Sequence, residues 1–430
     1  MSEHNFLGSP GRTVGGAAVA EWSAICRECG TTRACTALSR CRDCGGLLVA
    51  RAETVDAAAA RTVLLGPART FWDYRPLLPP AGQPVTLGEG GTPLVRVDRA
   101  APGLDGVEVL LKLESLNPTL SFKDRAMALG VSAARWAGAR GVLLASTGNA
   151  AVSAAAYAAR AGLPCRVYAA AASAESLKLG SAVAYGAQVV PVPGDYSSAW
   201  DAAARAEGDG WVNLTTTYRN PLLAEAHRTV AFELAAGLAW RPPVLVAVPV
   251  GAGPLLYGLE RGFDLLHRLG LTDRVPRLVA VQAAACAPIV RAWRDGAPAV
   301  SATEARPTIA DAIADPLRGY EDEAQLTLEA LRRCDGAAVA VGEDAMRAAV
   351  RELATAEGVD LEPAAAACLP ALTALRDSGA LNPGDTVVAI ATGHGAKERR
   401  RPAAPLDGAA RNQAAPAGQS MVERSGGTTE

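Results

Sequence analysis

The most informative stretch of this sequence is Asn117-Pro118-Thr119-Leu120-Ser121-Phe122-Lys123-Asp124-Arg125. An apolar run, Val107 to Leu113, precedes it and predicts a strand, which Asn117-Pro118 must end. Ser121 is a candidate cap for a helix that begins near Lys123, and an acidic residue suits a first helical turn. The pattern therefore puts a lysine at a strand–helix turn, where it can form a Schiff base with a bound carbonyl group. A lone lysine in a loop is more often simply solvated, so the rest of the chain must decide.

Composition favours a protein that binds small molecules. The chain has 430 residues, half of them hydrophobic and a fifth charged, with a formal net charge of -2. This near-neutral balance predicts no nucleic-acid partner and no anionic membrane surface. Runs of about 18 apolar residues and a signal-peptide pattern are both missing from the sequence, so we expect a cytoplasmic protein without a membrane span.

Two C-x-x-C-G motifs near the N-terminus predict a metal site. They are Cys26-Arg-Glu-Cys29-Gly30 and Cys41-Arg-Asp-Cys44-Gly45, a spacing typical of a structural zinc ribbon with four thiolates, here at residues 21–50. A glycine after each pair lets the backbone turn towards the sulfurs. The alternative is a decayed ribbon that has lost its metal. Cys35 is interpreted as a bystander, and residues 1–20 and 401–430 are predicted to be disordered.

Strand and helix patterns alternate through the rest of the chain, among them strands at Leu94–Val97 and Gln188–Val192 and a helix near 364–378. This alternation predicts an α/β fold with parallel sheets. In such sheets, ligands bind at the carboxyl ends of strands. Three polar or glycine-rich turns follow predicted strands: Ser146-Thr147-Gly148-Asn149, Gly251-Ala252-Gly253-Pro254-Leu255 and Thr392-Gly393-His394-Gly395. Each alone is also compatible with an ordinary turn.

Taken together, these stretches resemble threonine synthases, a pyridoxal-phosphate family. The stretch Leu87–Leu94, the segment Val281–Ile289 and the pair Glu362-Pro363 resemble further motifs of that family, so the resemblance covers roughly residues 22–398. It implies two three-layer α/β domains of the tryptophan-synthase-β-like fold. The large domain would comprise residues 51–124 and 240–400, and the small one residues 125–239. A homodimer is one option, because this fold type often forms dimers.

The resemblance also implies roles for individual residues. Lys123 would hold pyridoxal 5'-phosphate and act as the catalytic base. Cofactor contacts would come from Phe122, Asn149, Gly251, Ala252, Gly253, Leu255 and Thr392. Contacts to the amino-acid substrate would come from Ser121, Ser146, Thr147, Asn149 and Lys178.

Some positions depart from the family pattern. Ala150 and Ala151 stand where the family has two hydroxyl residues that help to bind substrate anions. Groups that could compensate are Ser153, Arg160, Lys178 and Arg228. The sequence thus leaves three functions open. The first is threonine synthase, which converts O-phospho-L-homoserine and water to threonine and phosphate. The second is a specialised enzyme of the same fold, such as a dehydratase, a cysteate-synthase-like enzyme or a natural-product tailoring enzyme. The third is a non-catalytic protein in which the zinc ribbon binds a partner.

Overall fold

The computed structural model describes residues 19–35, 39–101, 103–173 and 176–398. Nearly all of both segments predicted to be disordered lies outside these described residues. Within them, no helix is both long and apolar enough to cross a membrane.

The strands and helices are numbered in chain order. The strands are β1 Ala20–Cys26, β2 Thr32–Ala34, β3 Leu48–Val55, β4 Leu94–Val97, β5 Glu108–Lys112, β6 Gly141–Ala145, β7 Cys165–Ala170, β8 Gln188–Val192, β9 Trp211–Asn213, β10 Leu245–Pro249, β11 Arg277–Ala283, β12 Ala337–Val341 and β13 Thr386–Ile390. The α-helices are α1 Ala57–Leu65, α2 Lys123–Trp136, α3 Asn149–Ala161, α4 Leu177–Ala184, α5 Tyr196–Arg205, α6 Pro221–Ala226, α7 Arg228–Gly237, α8 Pro254–Arg268, α9 Pro288–Arg294, α10 Glu321–Arg333, α11 Glu343–Glu352, α12 Pro363–Ala366 and α13 Cys368–Asp377.

These strands form three sheets. The largest has the order β12-β11-β10-β13-β5-β4 and is parallel except for the edge strand β4. A four-stranded parallel sheet has the order β8-β7-β6-β9. The cysteine-rich module is a small antiparallel sheet, β2-β1-β3. The predicted α/β class is therefore confirmed.

Burial explains why the parallel strands are apolar along their whole length. All residues of β6 and β10 are buried, because helices cover both faces of a parallel sheet. The helix predicted over 364–378 is instead divided into α12 and α13. Pro370, in the first turn of α13, provides the reason, since a proline ring collides with the carbonyl four residues earlier in a continuous helix.

Candidate active site

The carboxyl ends of four strands meet around one cavity. The turns that follow β5, β6, β10 and β13 all contribute to its wall. The structure brings ten of the sequence-predicted site residues together in this lining: Phe122, Lys123, Ser146, Thr147, Asn149, Gly251, Ala252, Gly253, Leu255 and Thr392. Ser121 and Lys178 do not line it.

Lys123 is the first residue of helix α2 and directs its amino group into the cavity. Its Nζ donates a hydrogen bond to Thr216 Oγ1 at 2.7 Å and lies 4.7 Å from the centre of the Phe122 ring. Burial lowers the pKa of Lys123 to about 8, although the carboxylates of Glu362 and Asp315 act to raise it. A much larger share of the amine is therefore neutral near pH 7 than in an exposed lysine, and only the neutral amine is a nucleophile.

A buried ion network anchors the turn that carries Lys123. The Arg125 guanidinium donates to Glu114 at 2.7 and 2.8 Å and to Glu233 at 2.6 and 2.8 Å. Lys112 Nζ donates to Glu233 at 2.6 Å. Two cations and two carboxylates thus balance in a buried cluster, where geometry of this quality is needed to offset desolvation.

The expectation that Ser121 caps helix α2 is wrong. Phe122 occupies the cap position without a side-chain cap, and the buried Ser121 hydroxyl has no hydrogen-bond partner. The Asp124 carboxylate closes this turn instead, because it accepts from the Thr119 backbone N–H at 2.6 Å and from Ser153 Oγ at 2.5 Å. Burial raises the pKa of Asp124 to about 6.

The Ser146–Asn149 turn is held by its own side chains. Ser146 Oγ accepts from the backbone N–H groups of Gly148 at 3.1 Å and Ala151 at 3.2 Å, which supports the start of helix α3. Asn149 Nδ2 donates to both carboxylate oxygens of Glu362, at 2.9 and 3.1 Å. Asn149 Oδ1 is buried without a partner, so this cavity-lining residue retains capacity for a polar ligand.

The Gly251–Leu255 loop forms a cradle at the start of helix α8. Gly253 has φ +98°, and a Cβ at this position would collide with Thr327. The loop is fixed from behind by Thr327, whose Oγ1 donates to the Ala252 carbonyl at 2.6 Å. The N-terminus of a 15-residue helix faces the cavity here, which favours an anion such as a phosphate.

Thr392 joins the lysine turn to the end of β13. Its carbonyl accepts from the Phe122 backbone N–H at 3.0 Å. The next residue, Gly393, cannot carry a side chain without colliding with the Glu362 carboxylate. The Glu362-Pro363 pair therefore packs directly against the Thr392–Gly395 turn.

Lys178 is enclosed by acidic groups beside the cavity. Its Nζ lies 3.5 Å from both Asp311 and Glu362 and forms a close ion pair with Glu398. These three carboxylates outweigh the desolvation of the ammonium, so the pKa of Lys178 is raised. The charge of Lys178 is already matched by the protein's own carboxylates.

The other groups considered as replacements for the missing hydroxyls lie elsewhere. Ser153 donates to Asp124, and Arg160 is exposed in the last turn of α3. Arg228 is buried, 3.2 Å from Glu225. Ala150 lines the cavity, whereas Ala151 is fully buried in the core. Only the first of the two alanines therefore bears directly on the ligand space.

Sequence reasoning missed several residues of the cavity wall. Thr216 and Tyr196 come from segments for which no motif was recognised, and Asp311 and Asp315 lie in an irregular stretch before α10. Among the described lining residues, the acidic side chains are Asp311, Asp315 and Glu362, and the basic one is Lys123. Burial raises the pKa of Asp315, which accepts from the Tyr320 hydroxyl at 2.7 Å.

The four cysteines of the N-terminal module converge as their spacing predicted. The Sγ atoms of Cys26, Cys29, Cys41 and Cys44 all lie within 4.8 Å of one another. The distances are 3.5 Å between Cys26 and Cys44 and 3.8 Å between Cys29 and Cys41. A tetrahedral thiolate site with bonds of about 2.3 Å has sulfur–sulfur edges of about 3.8 Å, so the cluster has suitable dimensions for a metal.

The residues around the cluster also match expectation. Gly30 and Gly45 have φ of +72° and +74°, the left-handed conformation that glycine adopts without strain. Cys35 is buried in a hydrophobic core away from the cluster, and burial raises the pKa of its thiol to about 12. An inert thiol of this kind is a packing residue.

The chain is similar to known proteins in both sequence and fold. Residues 85–393 match the family described as pyridoxal-phosphate dependent enzymes. The chain is 35% identical over 370 residues to the threonine synthase of Methanosarcina acetivorans, covering 86% of this chain and 90% of that enzyme. It is 34% identical to the threonine synthase of Methanocaldococcus jannaschii, covering 87% and 92% respectively. The fold resembles an L-serine ammonia-lyase from Rhizomucor miehei, with a TM-score of 0.61, 21% identity, and coverage of 73% and 95%.

Proposed function

Since the chain belongs to the pyridoxal-phosphate-dependent enzyme family, we propose that Lys123 holds this cofactor in a lyase that acts on an amino acid with a leaving group. Its fold is the tryptophan-synthase-β-like α/β fold, and its relatives at 34–35% identity are threonine synthases. The observation that carries the proposal is the partly neutral amine of Lys123 in a cavity lined by the ends of four strands.

The residues of the cavity fit the proposed cofactor. The Gly251–Leu255 cradle at the start of α8 suits the cofactor phosphate, and the partnerless Oδ1 of Asn149 marks a polar ligand position. When bound, pyridoxal phosphate withdraws electrons from the substrate's α-carbon, which permits proton removal and loss of a leaving group. The Thr392 hydroxyl would face the pyridine nitrogen, and Phe122 would pack near the ring.

The protein's own groups would move the protons. The amine of Lys123 would remove a proton from the α-carbon and transfer protons at the neighbouring carbons. A base with a pKa near the working pH is effective in both directions. Thr216, which accepts from Nζ at 2.7 Å, would orient the amine between transfers.

O-phospho-L-homoserine is the first candidate substrate, since the relatives at 34–35% identity over most of the chain are threonine synthases. The reaction would consume water and yield L-threonine and phosphate. Ser146, Thr147 and Asn149 would contact the substrate, with Lys178 beside them. The Ser146 hydroxyl oxygen already accepts two backbone hydrogen bonds. Ser146 would therefore act towards the substrate as a hydrogen-bond donor.

The charge of the cavity wall favours a second candidate. O-phosphohomoserine brings a phosphate dianion, yet Asp311, Asp315 and Glu362 line the cavity and the charge of Lys178 is matched by carboxylates. Ala150 removes a hydroxyl donor at the same wall. A hydrogen bond to a charged group contributes about 1.5–3 kcal/mol. An elimination or replacement enzyme whose substrate carries an uncharged leaving group suits this wall better.

Two experiments test the proposal at separate levels. Borohydride reduction of the purified protein, followed by peptide mass spectrometry, should find a pyridoxyl group on the peptide that contains Lys123. An adduct on a different lysine would refute the cofactor assignment. Phosphate release from O-phosphohomoserine is then compared with turnover of O-acetylhomoserine, serine and threonine. This comparison distinguishes a threonine synthase from an enzyme whose substrate carries an uncharged leaving group. A kcat/KM for O-phosphohomoserine of about 10⁴ M⁻¹s⁻¹ or more would establish the first candidate.

The cysteine cluster is proposed to hold one structural zinc ion. Four thiolates fill a tetrahedral coordination sphere and leave no open position for a substrate. The metal would therefore stabilise the small sheet β2-β1-β3, whose own core is limited to a few buried residues.

A further inference from the structure

Two arginines connect the cysteine cluster to a single helix. Arg27 directly follows Cys26 and makes two hydrogen bonds to Glu329, at 2.7 and 2.9 Å. Arg40 directly precedes Cys41 and donates to Asp322 at 2.8 and 2.9 Å and to Glu323 at 3.1 Å. All three acidic residues belong to helix α10. The position of this helix is thus tied to the conformation of the cysteine cluster.

The opposite contacts of α10 lead to the active site. Glu323 is fully buried and accepts from the Tyr218 backbone N–H at 2.9 Å. Thr327, four residues later and so on the same face of the helix, accepts from the Tyr218 hydroxyl at 2.7 Å and donates to the Ala252 carbonyl at 2.6 Å. Tyr218 comes two residues after Thr216, the partner of Lys123 Nζ.

We propose that Arg40, acting through Glu323, is a positioning residue that makes cofactor binding depend on the metal-bound state of the cysteine cluster. The inference rests on the proposed function at Lys123. A metal bound by Cys41 fixes the adjacent backbone and so holds the Arg40 guanidinium over Glu323. The Glu323 carboxylate, paired with Arg40, then holds the segment 216–218, while Thr327 on the same helix holds the Gly251–Leu255 loop.

The physical reason is the complete burial of Glu323. A buried carboxylate that loses its cation must take up a proton or admit water, and both change the acceptor offered to the Tyr218 N–H. The Arg27–Glu329 pair has no such consequence, because both side chains are about a third exposed and water can replace either partner. Arg27 therefore provides a matched control on the same module and the same helix.

The test uses the full-length protein purified with its metal. The cofactor dissociation constant is measured from the visible absorbance of the lysine-bound cofactor, and metal content is measured on each sample. Arg40→Met should raise this constant by about tenfold or more, the effect of losing one charge-assisted hydrogen bond. Arg40→Met with Glu323→Gln should restore it to within about threefold of the wild type, as should the control Arg27→Met.

Rescue separates positioning from a merely structural role, because a change at residue 323 cannot repair a damaged cysteine module. If Arg40→Met retains metal and binds cofactor like the wild type, or if Glu323→Gln fails to rescue it, the inference is wrong. If Arg40→Met loses its metal, the inference is tested instead by removing the metal from the wild type and from Glu323→Gln with a strong chelator. Chelation should weaken cofactor binding in the wild type and have less effect in Glu323→Gln, and equal effects would overturn the inference. Failure of the wild type itself to bind cofactor would instead refute the proposed function.

Discussion

The lowered pKa of Lys123 leads to a quantitative prediction about cofactor capture. Burial takes this pKa from the usual 10.5 to about 8. At pH 7.5, about a quarter of the amine is then neutral, against about one part in a thousand for an exposed lysine. Because addition to an aldehyde requires the neutral amine, Lys123 should react about 200-fold faster than an exposed lysine of equal intrinsic reactivity.

Asp315 provides the perturbation. Its carboxylate favours the charged ammonium of Lys123 and so raises the lysine pKa. Asp315→Asn removes this charge but keeps an oxygen that can accept from the Tyr320 hydroxyl and the Leu317 N–H. The pKa of Lys123 should therefore fall further, by up to about one unit. Asp311→Asn is the matched control, since Asp311 is an exposed neighbour on the same segment whose ion pair is with Lys178.

The assay follows addition of pyridoxal phosphate to the cofactor-free protein by stopped-flow absorbance between pH 6 and about 10.5. Free lysine under the same conditions corrects for ionisation of the cofactor. The rate should rise with pH and reach half its maximum near pH 8 in the wild type and in Asp311→Asn. In Asp315→Asn the half-maximal rate should come at a lower pH. A wild-type midpoint near 10 would refute the burial argument. An unchanged midpoint in Asp315→Asn would refute the role of its charge.

Three further predictions concern the cradle, the metal and the substrate. Gly253→Ala should move the cradle, because a positive φ costs alanine about 1–2 kcal/mol and overpacking against Thr327 costs about 1–3 kcal/mol. A displaced cradle should bind the cofactor at least about tenfold more weakly. A cofactor titration within about threefold of the wild type would contradict the role of the cradle. Elemental analysis should find roughly one zinc per chain. The zinc content should be unchanged in Cys35→Ser and lost when a cluster cysteine is replaced. Free alkylation of all four cluster thiols in the folded protein would contradict the zinc site. Ala150→Thr should increase phosphate release from O-phosphohomoserine, whereas Ala151→Ser should not, because Ala151 is buried in the core. No increase in Ala150→Thr, or an equal increase in Ala151→Ser, would contradict the role of a hydroxyl in the cavity lining.

Local patterns in the sequence were sufficient for the α/β class with parallel sheets and for three of the turns that line the cavity. The strand Leu94–Val97 and the strand Gln188–Val192 coincide with their predicted bounds. The turns after β6, β10 and β13 could be found because parallel strands place their carboxyl ends at one edge of a sheet. Glycine and small polar residues mark the end of each of these strands in the sequence.

The remaining site residues depend on contacts between distant segments. Thr216 reaches Lys123 across 93 positions of sequence, and no periodicity marks the stretch that holds Asp315. Ser121 is of a residue type that often caps helices, yet the Asp124 carboxylate closes the turn. The sequence patterns also did not predict helix α10 and strand β12. Alanine-rich composition weakens the contrast between apolar and polar positions on which pattern reasoning depends.

The ion network beneath the lysine turn constrains how this protein can evolve. Lys112, Glu114, Arg125 and Glu233 together carry no net charge, and each lies at least nine-tenths buried. Replacing one member strands an opposite charge in the interior, at a cost of about 3–5 kcal/mol, which is a large part of the stability of a typical domain. Selection should therefore remove single substitutions at these positions. Related proteins should either keep all four residues or have exchanged oppositely charged members together. An alignment of relatives should show these four columns covarying as one unit, even though none of the four side chains lines the cavity.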